Sequence, residues 1–198
     1  MFFGKKSSGP IDCLVVGLGN PGKKYEGTRH NAGMMALMKL AERYGVEVSR
    51  KRFQGVTGEV RIAGKRALLL FPHTYMNLSG KAVAEAMKFY KLDVSQLLVF
   101  SDDISLDPGI VRVRRKGSAG GQRGLQNIID CIDSEDFVRI KLGIGAKPHP
   151  EMDLADWVLS RFTFAEKKAL EEAAEKAAEA AELVIEGKID EAMNRYSK

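Results

Sequence analysis

Apolar and polar positions alternate along the chain with two periodicities, one typical of strands and one typical of helices. Apolar runs and strict alternation predict strands at 13–16, 97–100, 110–115 and 137–144, and a hairpin over 55–71 that turns at 63–65. Apolar spacings of three and four residues predict helices at about 34–44, at 79–90, around 125–129, at about 164–186 and at 189–196. Because helices alternate with strands, the sequence predicts an α/β fold: a single domain with a mixed central β-sheet flanked by helices and a C-terminal helical segment.

The predicted domain covers residues 11–198 and follows a flexible N-terminal lead-in at 1–10. In sheets of this kind, ligands bind beyond the carboxyl ends of the strands. A loop at 146–156 follows the strand at 137–144, and the pattern leaves open whether it closes over the site as a lid. The loops at the strand ends are therefore where we look for function.

Composition is that of an ordinary globular protein, with 44% hydrophobic and 29% charged residues in 198. No apolar stretch approaches the roughly 20 residues of a membrane helix, and residues 1–10 lack the apolar core of a signal peptide. Cys13 and Cys131 have apolar sequence neighbours and no CxxC partner, so we expect two reduced core thiols. These features predict a cytoplasmic protein.

The charge is unevenly distributed. Lysine and arginine number 31 against 26 acidic residues, a net charge of +5, and the acids concentrate in the C-terminal third. A basic first two-thirds suits a polyanionic partner, although charge alone equally allows a solvated basic surface.

Residues 17–22 fit the dinucleotide-binding pattern G-x-G-x-x-G after the first strand. In that motif a helix starts at the last glycine, so that its N–H groups meet the pyrophosphate. Here Asn20-Pro21-Gly22 is a turn signal, and no helical periodicity appears before Met34. The acidic residue expected about 20 positions later is also missing, since Glu42 lies inside the predicted helix. The sequence therefore disfavours a nucleotide cofactor and keeps a dinucleotide-dependent enzyme only as an alternative.

Polar residues suited to catalysis follow three of the predicted strands. They are Asn20, His30 and Asn31, then His73, Tyr75, Met76 and Asn77, and finally Asp102 and Asp103. A carboxylate can orient an imidazole for general base catalysis, and asparagine amides can donate to a polarised carbonyl. No serine or cysteine lies in a nucleophile-elbow pattern, so the implied nucleophile is water. Capping and turn roles for these residues stay open on spacing alone, and three scattered histidines predict no metal site.

Five segments, taken in their order along the chain, carry a family resemblance. They are GLGNPGKKYEGTRHNAG at 17–33, HTYMNLSGKAV at 73–83, LVFSDDISLDPG at 98–109, GSAGGQRGLQNII at 117–129 and RIKLGIG at 139–145. Together they resemble the bacterial-type peptidyl-tRNA hydrolase family over about residues 11–160. The resemblance implies a cofactor-free, monomeric enzyme that hydrolyses the ester between a peptide, or N-blocked aminoacyl group, and the 3′ end of tRNA. Such an enzyme recycles tRNA from prematurely released peptidyl-tRNA.

The resemblance also implies residue roles. His30 would be the general base for the attacking water, and Asp102, the first of the family's paired acids, would orient it. Asn20 would recognise the peptide bond that a free aminoacyl-tRNA lacks. The other implied substrate contacts are Asn77 as a carbonyl- or water-orienting amide, Met76 packing beside it, and Tyr25 and Tyr75 as aromatic contacts to the acceptor end.

Basic residues are implied to hold the tRNA backbone. Arg112 and Arg114 share one face of a predicted strand, and Lys141 alternates outward on another. The resemblance places Arg114 and Lys141 where the family holds the tRNA 5′-phosphate. Phosphate contacts position a substrate without reading its sequence, which suits an enzyme that accepts every tRNA.

One segment departs from the family pattern. Where the family commonly has Gly-Gly-His-Asn-Gly, residues 120–124 read Gly-Gly-Gln-Arg-Gly. Arg123 can donate hydrogen bonds and bind phosphate but cannot accept, so we hypothesise that it shifts binding toward the tRNA backbone. The departure leaves a catalytically weak RNA-binding homologue on the same fold as the alternative function.

Overall fold

Seven strands form one sheet in a computed structural model that describes residues 9–197. They are β1 Cys13–Gly17, β2 Arg50–Arg52, β3 Gly55–Ile62, β4 Lys65–Pro72, β5 Leu97–Asp103, β6 Val111–Arg114 and β7 Val138–Gly143. Their order is β2-β3-β4-β1-β5-β7-β6. The four central strands are parallel, whereas β2 and β3 at one edge and β6 at the other pair antiparallel. The predicted mixed sheet is confirmed; residues 1–8 of the predicted lead-in lie outside the described residues.

Helices cover both faces of the sheet. They are α1 Ala32–Arg43, α2 Ser79–Tyr90, α3 Arg123–Ile132, α4 Leu154–Leu159, α5 Phe164–Glu186 and α6 Ile189–Tyr196. On β1, Val15 packs into the apolar layer beneath α1 and α5, while Leu14 and Val16 pack into the layer beneath α2 and α3. Successive strand residues point to opposite faces, so a continuous apolar run identifies a strand buried on both sides. No helix within residues 9–197 is long and apolar enough to cross a bilayer.

The start of α1 lies against the carboxyl ends of β1 and β5. The Met34 N–H donates to the Leu18 carbonyl at 2.9 Å. A Cβ at Gly33 would lie 2.4 Å from the Phe100 carbonyl oxygen, closer than such atoms can approach. Glycine at this position therefore lets α1 rest on the strand ends, which brings the residues just before the helix to the edge of β5.

The segment between β1 and α1 contains no helix that opens at Gly22. Two single 3₁₀ turns, Lys23–Tyr25 and Arg29–Asn31, fill it before α1 begins at Ala32. A phosphate cradle needs a helix N-terminus directly after the last glycine. The structure thus agrees with the polar loop predicted here and removes the basis of the dinucleotide alternative.

Four features differ from the sequence prediction. Strand β5 extends through Asp103 instead of ending at Phe100, because its last residues pair with β7. Strand β2, Arg-Lys-Arg, shows no apolar alternation and forms by pairing with β3. Helix α4 begins within the predicted 146–156 loop, after Asp153 accepts a capping hydrogen bond from the Ala155 N–H. Cys131 is exposed rather than part of the core, because it lies on the outer side of the amphipathic α3.

Candidate active site

An open cleft lies at the carboxyl ends of the parallel strands. Its volume is about 360 Å³, and its walls come from the loops after β1, β4 and β5, the glycine-rich loop before α3, β7 and α4. The sequence-predicted residues that line it are Asn20, His30, Tyr75, Met76, Asn77, Asp102, Asp103, Arg123 and Lys141. Residues up to 121 positions apart in sequence (20 to 141) therefore meet in one cavity.

His30 and Asp102 form a buried hydrogen-bonded pair at the base of this cleft. His30 Nδ1 lies 2.8 Å from Asp102 Oδ2, and the two residues are 8% and 4% exposed. His30 stands in the 3₁₀ turn before α1, and Asp102 stands near the end of β5. Within residues 9–197 the other ring nitrogen, Nε2, has no hydrogen-bond partner, and His30 lines the cavity. The contact requires the proton on Nδ1 when the ring is neutral, which leaves Nε2 able to accept a proton.

Asn20 is held in one orientation by its neighbours. The Asn31 side chain bonds both backbone groups of Asn20, accepting from its N–H at 2.8 Å and donating to its carbonyl at 3.0 Å. The Met76 N–H donates to Asn20 Oδ1 at 2.8 Å. Since a backbone N–H can only donate, the oxygen of the amide faces Met76. The amide nitrogen of Asn20 is therefore the group left to donate to a ligand.

Gln122 is a site residue that the sequence reasoning missed. Its Nε2 donates to Asp102 Oδ1 at 2.9 Å, and its Oε1 accepts from the Leu125 N–H at 2.7 Å. It occupies the N-cap position of α3, directly before the helix. The signal available in the sequence was its place next to Arg123, in the segment that departs from the family pattern.

Asp103 pairs with Lys141 and makes no hydrogen bond to His30 in the described part of the chain. The Lys141 ammonium lies 3.0 Å from Asp103 Oδ2, because Lys141 on β7 lies opposite Ser101, two residues before Asp103 on β5, so both side chains leave the same face of the sheet. Burial alone would raise the pKa of Asp103, but hydrogen bonds from Ser105 and from Lys141 outweigh it and lower the pKa. Lys141 thus lines the cleft as half of an ion pair, with its positive charge partly compensated.

Two predicted contacts, Tyr25 and Arg114, are not among the cleft-lining residues. Tyr25 is half-buried, with the Lys24 ammonium 4.7 Å from its ring centroid. Arg114 lies on β6 opposite Arg139, and Arg112 lies opposite Lys141, so these side chains share one face of the sheet. Tyr75, Asn77 and Arg123 are exposed at the cleft, with Tyr75 59% exposed.

Arg139, which the sequence reasoning also missed, fixes the glycine-rich wall of the cleft. It is buried, and its guanidinium donates to the carbonyls of Gly117 and Ser118 and, at 2.9 Å, to that of Glu135. Burial lowers its pKa, and Glu135 partly offsets this. Its hydrogen bonds hold the loop that carries Gln122 and Arg123.

The cleft wall formed by α4 is joined to the turn that carries His30 through Arg29, the residue before His30. Its guanidinium lies 3.7 Å from the ring centroid of Trp157 on α4 and is 3% exposed. It donates to both Glu166 oxygens, at 3.0 and 2.9 Å, and to the Ile144 carbonyl at 3.1 Å. Hydrogen bonding by Arg29 holds the pKa of Glu166 at about 2. Sequence patterns gave no sign of this arrangement, because Arg29 lies more than 100 residues from each of these partners.

Fold and cleft together define a class: a single-domain α/β protein whose site joins a histidine–carboxylate pair to side-chain amides, which suits hydrolysis by water. The chain belongs to the peptidyl-tRNA hydrolase family, whose sequence profile matches residues 14–198. Membership confirms the predicted family and makes the chain a hydrolase acting on the peptidyl-tRNA ester bond. Its substrate is therefore tRNA that carries a peptidyl group.

Individual relatives agree with this assignment. A peptidyl-tRNA hydrolase of Agathobacter rectalis is 49% identical over 185 residues, which cover 93% of this chain and 99% of the relative. One from Caldanaerobacter subterraneus subsp. tengcongensis is 47% identical over 184 residues, covering 93% and 98%. The crystal structure of peptidyl-tRNA hydrolase from Acinetobacter baumannii superposes with a TM-score of 0.88 at 34% identity, covering 96% of this chain and 97% of that one. Both the sequence and the α/β fold are thus similar over nearly the whole chain.

Proposed function

We propose that this chain hydrolyses peptidyl-tRNA with His30 as the general base and Asp102 as the residue that orients it. The observation that carries the proposal is the 2.8 Å contact between His30 Nδ1 and Asp102 Oδ2 at the base of the cleft. Nε2 of His30 takes a proton from water as the water oxygen attacks the ester carbonyl carbon. The tetrahedral intermediate then collapses, the bond to the terminal ribose oxygen breaks, and that oxygen takes the proton back from His30.

Asn20 would recognise the peptide bond through its amide nitrogen. Its oxygen already accepts from the Met76 N–H, so the group it offers is a donor that fits a peptide carbonyl oxygen. A free aminoacyl-tRNA has no such carbonyl and would leave the donor unpaired, at a cost of about 1–3 kcal/mol. Asn77, exposed in the same cleft, would orient the ester carbonyl or the water, with Met76 packed beside it.

The acceptor end would bind along the rim, against Tyr75 and Tyr25. An exposed ring is available to stack on a base at Tyr75, and Tyr25 lies in the loop that also carries His30. Lys141 and Arg114 would hold the 5′-phosphate, and Arg123 the neighbouring backbone. In support, Arg114 and Lys141 lie on one face of the sheet, and within residues 9–197 neither Arg114 nor Arg123 has an acidic partner within ion-pair distance.

We place the enzyme in the cytoplasm as a monomer. Its substrate arises from translation, which supports the cytoplasmic assignment.

The decisive experiment measures release of N-acetylaminoacyl groups from tRNA. We expect His30→Ala to lose nearly all activity, because His30 is the one histidine among the described residues that line the cleft. His149→Ala is the matched control, since His149 is exposed and does not line the cleft. Equal rates for wild type and His30→Ala would refute the mechanism.

A further inference from the structure

The two carboxylate oxygens of Asp102 have different partners. Oδ2 contacts His30 Nδ1 at 2.8 Å, and Oδ1 accepts from Gln122 Nε2 at 2.9 Å. Asp102 and Gln122 are both buried, at 4% and 8% exposed. The aspartate therefore meets the base on one side and an uncharged donor on the other.

The orientation of the Gln122 amide is fixed by the backbone. Its Oε1 accepts from the Leu125 N–H at 2.7 Å, and a backbone N–H can only donate. The oxygen must face Leu125, so the nitrogen must face Asp102. The same nitrogen lies 3.3 Å from the Met76 sulfur. The Gln122 amide is therefore in contact with Asp102, Leu125 and Met76.

The chain around Gln122 is built to bring this side chain into the cleft. Gly120 and Gly121 have φ values of 58° and 83°, which turn the loop inward directly before it. A Cβ at Gly124 would lie 2.6 Å from the Met76 sulfur and 3.0 Å from Gln122 Oε1. Glycine at 124 therefore leaves room for the Gln122 amide beside Met76.

We propose that Gln122 is a positioning residue for the hydrolytic step. It holds the Asp102 carboxylate so that Oδ2 faces Nδ1 of His30, which keeps the proton on Nδ1 and Nε2 free to act as base. The inference rests on the proposed role of His30. Because an amide carries no charge and does not titrate, it satisfies the second oxygen of Asp102 without competing with His30 for its negative charge.

None of the other charged residues that line the described cleft bonds Oδ1 of Asp102, so Gln122 is its hydrogen-bond donor. Among the charged residues that line the cleft, Asp103 and Lys141 pair with each other. Arg123 and Asp153 are exposed at the cleft, and neither bonds Asp102. Within the described part of the chain, Gln122 and His30 are the side chains that hydrogen-bond the Asp102 carboxylate.

Two variants separate positioning from folding. Gln122→Asn keeps an amide and a good helix cap but is one methylene too short to reach Asp102. Gln122→Glu keeps an acceptor for the Leu125 N–H and replaces the donor with a carboxylate oxygen that faces Asp102. Gln126→Glu is the control, because it makes the same change one turn later in α3 at an exposed residue.

The assay is hydrolysis of N-acetylaminoacyl-tRNA across pH, with thermal unfolding of each variant. We expect Gln122→Asn to lower kcat at least about tenfold with KM little changed, since the loss is of orientation. In Gln122→Glu the acidic limb of kcat/KM should move to higher pH by about half a unit or more, because added negative charge favours protonated His30. Gln126→Glu should show neither change.

A folded Gln122→Asn with unchanged kcat, or a folded Gln122→Glu with an unchanged acidic limb, overturns the proposal. If Gln122→Glu fails to fold, the kcat of Gln122→Asn decides the outcome. The His30→Ala enzyme separates this result from the mechanism itself. An inactive His30→Ala beside a fully active Gln122→Asn refutes the role of Gln122 only. An active His30→Ala refutes the general base.

Discussion

Arg29 donates hydrogen bonds to both carboxylate oxygens of Glu166, at 3.0 and 2.9 Å, across 137 residues of sequence. Arg29 immediately precedes His30, and Glu166 lies in the first turn of α5, where its side chain also accepts from the Thr163 N–H. The ion pair therefore joins the C-terminal helices to the turn that carries the histidine. A buried guanidinium is costly without a partner, so Glu166 is what makes this position of Arg29 tolerable.

Replacing Glu166 with glutamine should destabilise the protein. An unpaired, buried Arg29 should cost about 2 kcal/mol at pH 7, measured as the free energy of unfolding in urea. Glu191→Gln is the control, because its pair with Arg195 is on the surface and should change stability by less than about 0.5 kcal/mol. Equal effects of the two variants would contradict this account.

The same ion pair predicts a dependence of stability on pH. The pKa of Glu166 is about 2 in the folded protein against its usual 4.5, so its stabilising contribution is complete above pH 4.5. It is lost as pH falls from there toward 2. The difference in unfolding free energy between wild type and Glu166→Gln should therefore shrink over that window. A difference that stays constant down to pH 2 would contradict the lowered pKa.

Asp102→Asn should impair the base while leaving the fold intact. Gln122 and His30 both present donors to Asp102, so one of them must face the new amide nitrogen. Where His30 does, its proton moves to Nε2 and the ring can no longer accept one from water. We expect kcat to fall by about a hundredfold to ten-thousandfold. Asp130→Asn, on the outer side of α3, should behave as wild type, and similar kcat values for the two variants would argue against an orienting role.

Arg114→Ala should weaken tRNA binding more than it slows the reaction. We expect KM to rise by about fivefold with kcat within twofold, and the slope of log KM against log salt to decrease by about one. Lys65→Ala removes the same charge at the start of β4, several strands away from β6 and outside the residues that line the cleft, and should alter neither. A defect confined to kcat would exclude phosphate binding by Arg114.

Arg123→Asn tests the departure from the family pattern. We expect KM for N-acetylaminoacyl-tRNA to rise, while hydrolysis of a small ester without phosphates stays near the wild-type rate, because the proposed partner of Arg123 is the RNA backbone. Faster hydrolysis of the small ester with unchanged tRNA affinity would mean that Arg123 acts on the water instead.

Gly33→Ala should destabilise the protein although alanine favours helices. The added methyl would meet the Phe100 carbonyl oxygen at 2.4 Å and push α1 off the strand ends. We expect a loss of about 3 kcal/mol in unfolding free energy, larger than the gain of about 1 kcal/mol in helix propensity. Glu42→Ala, at an exposed position of the same helix, should have little effect. A neutral Gly33→Ala would show that α1 can shift freely.

Elements whose own residues determine their shape were predictable from sequence. Helix α2 runs from Ser79 to Tyr90 as its apolar spacing indicates, and the β3–β4 hairpin turns at Ala63 and Gly64, both with positive φ. The capping box at Thr163 likewise opens α5. In each case the information lies within a few neighbouring residues.

Elements that depend on distant partners were not predictable. Helix α4 has six residues, too few for a periodic pattern, and it is held by contacts to Arg29. Strand β2 is entirely basic and is a strand only because β3 pairs with it. The side chain of Gln122 is held by Asp102 and Met76, which are both remote in sequence. Its residue type alone therefore did not predict that it lies in the cleft.

Trp157, the single tryptophan of the chain, lies on the Arg29 guanidinium at 3.7 Å and donates from its indole nitrogen to the Gly145 carbonyl at 2.8 Å. Its neighbours on α4, Leu154, Ala155 and Val158, line the cleft. The protein thus carries an intrinsic fluorophore on the helix that forms one wall of the cleft. Trp157 contacts Arg29, and Arg29 directly precedes His30. Emission from Trp157 offers a label-free optical signal for following occupancy of the cleft in real time.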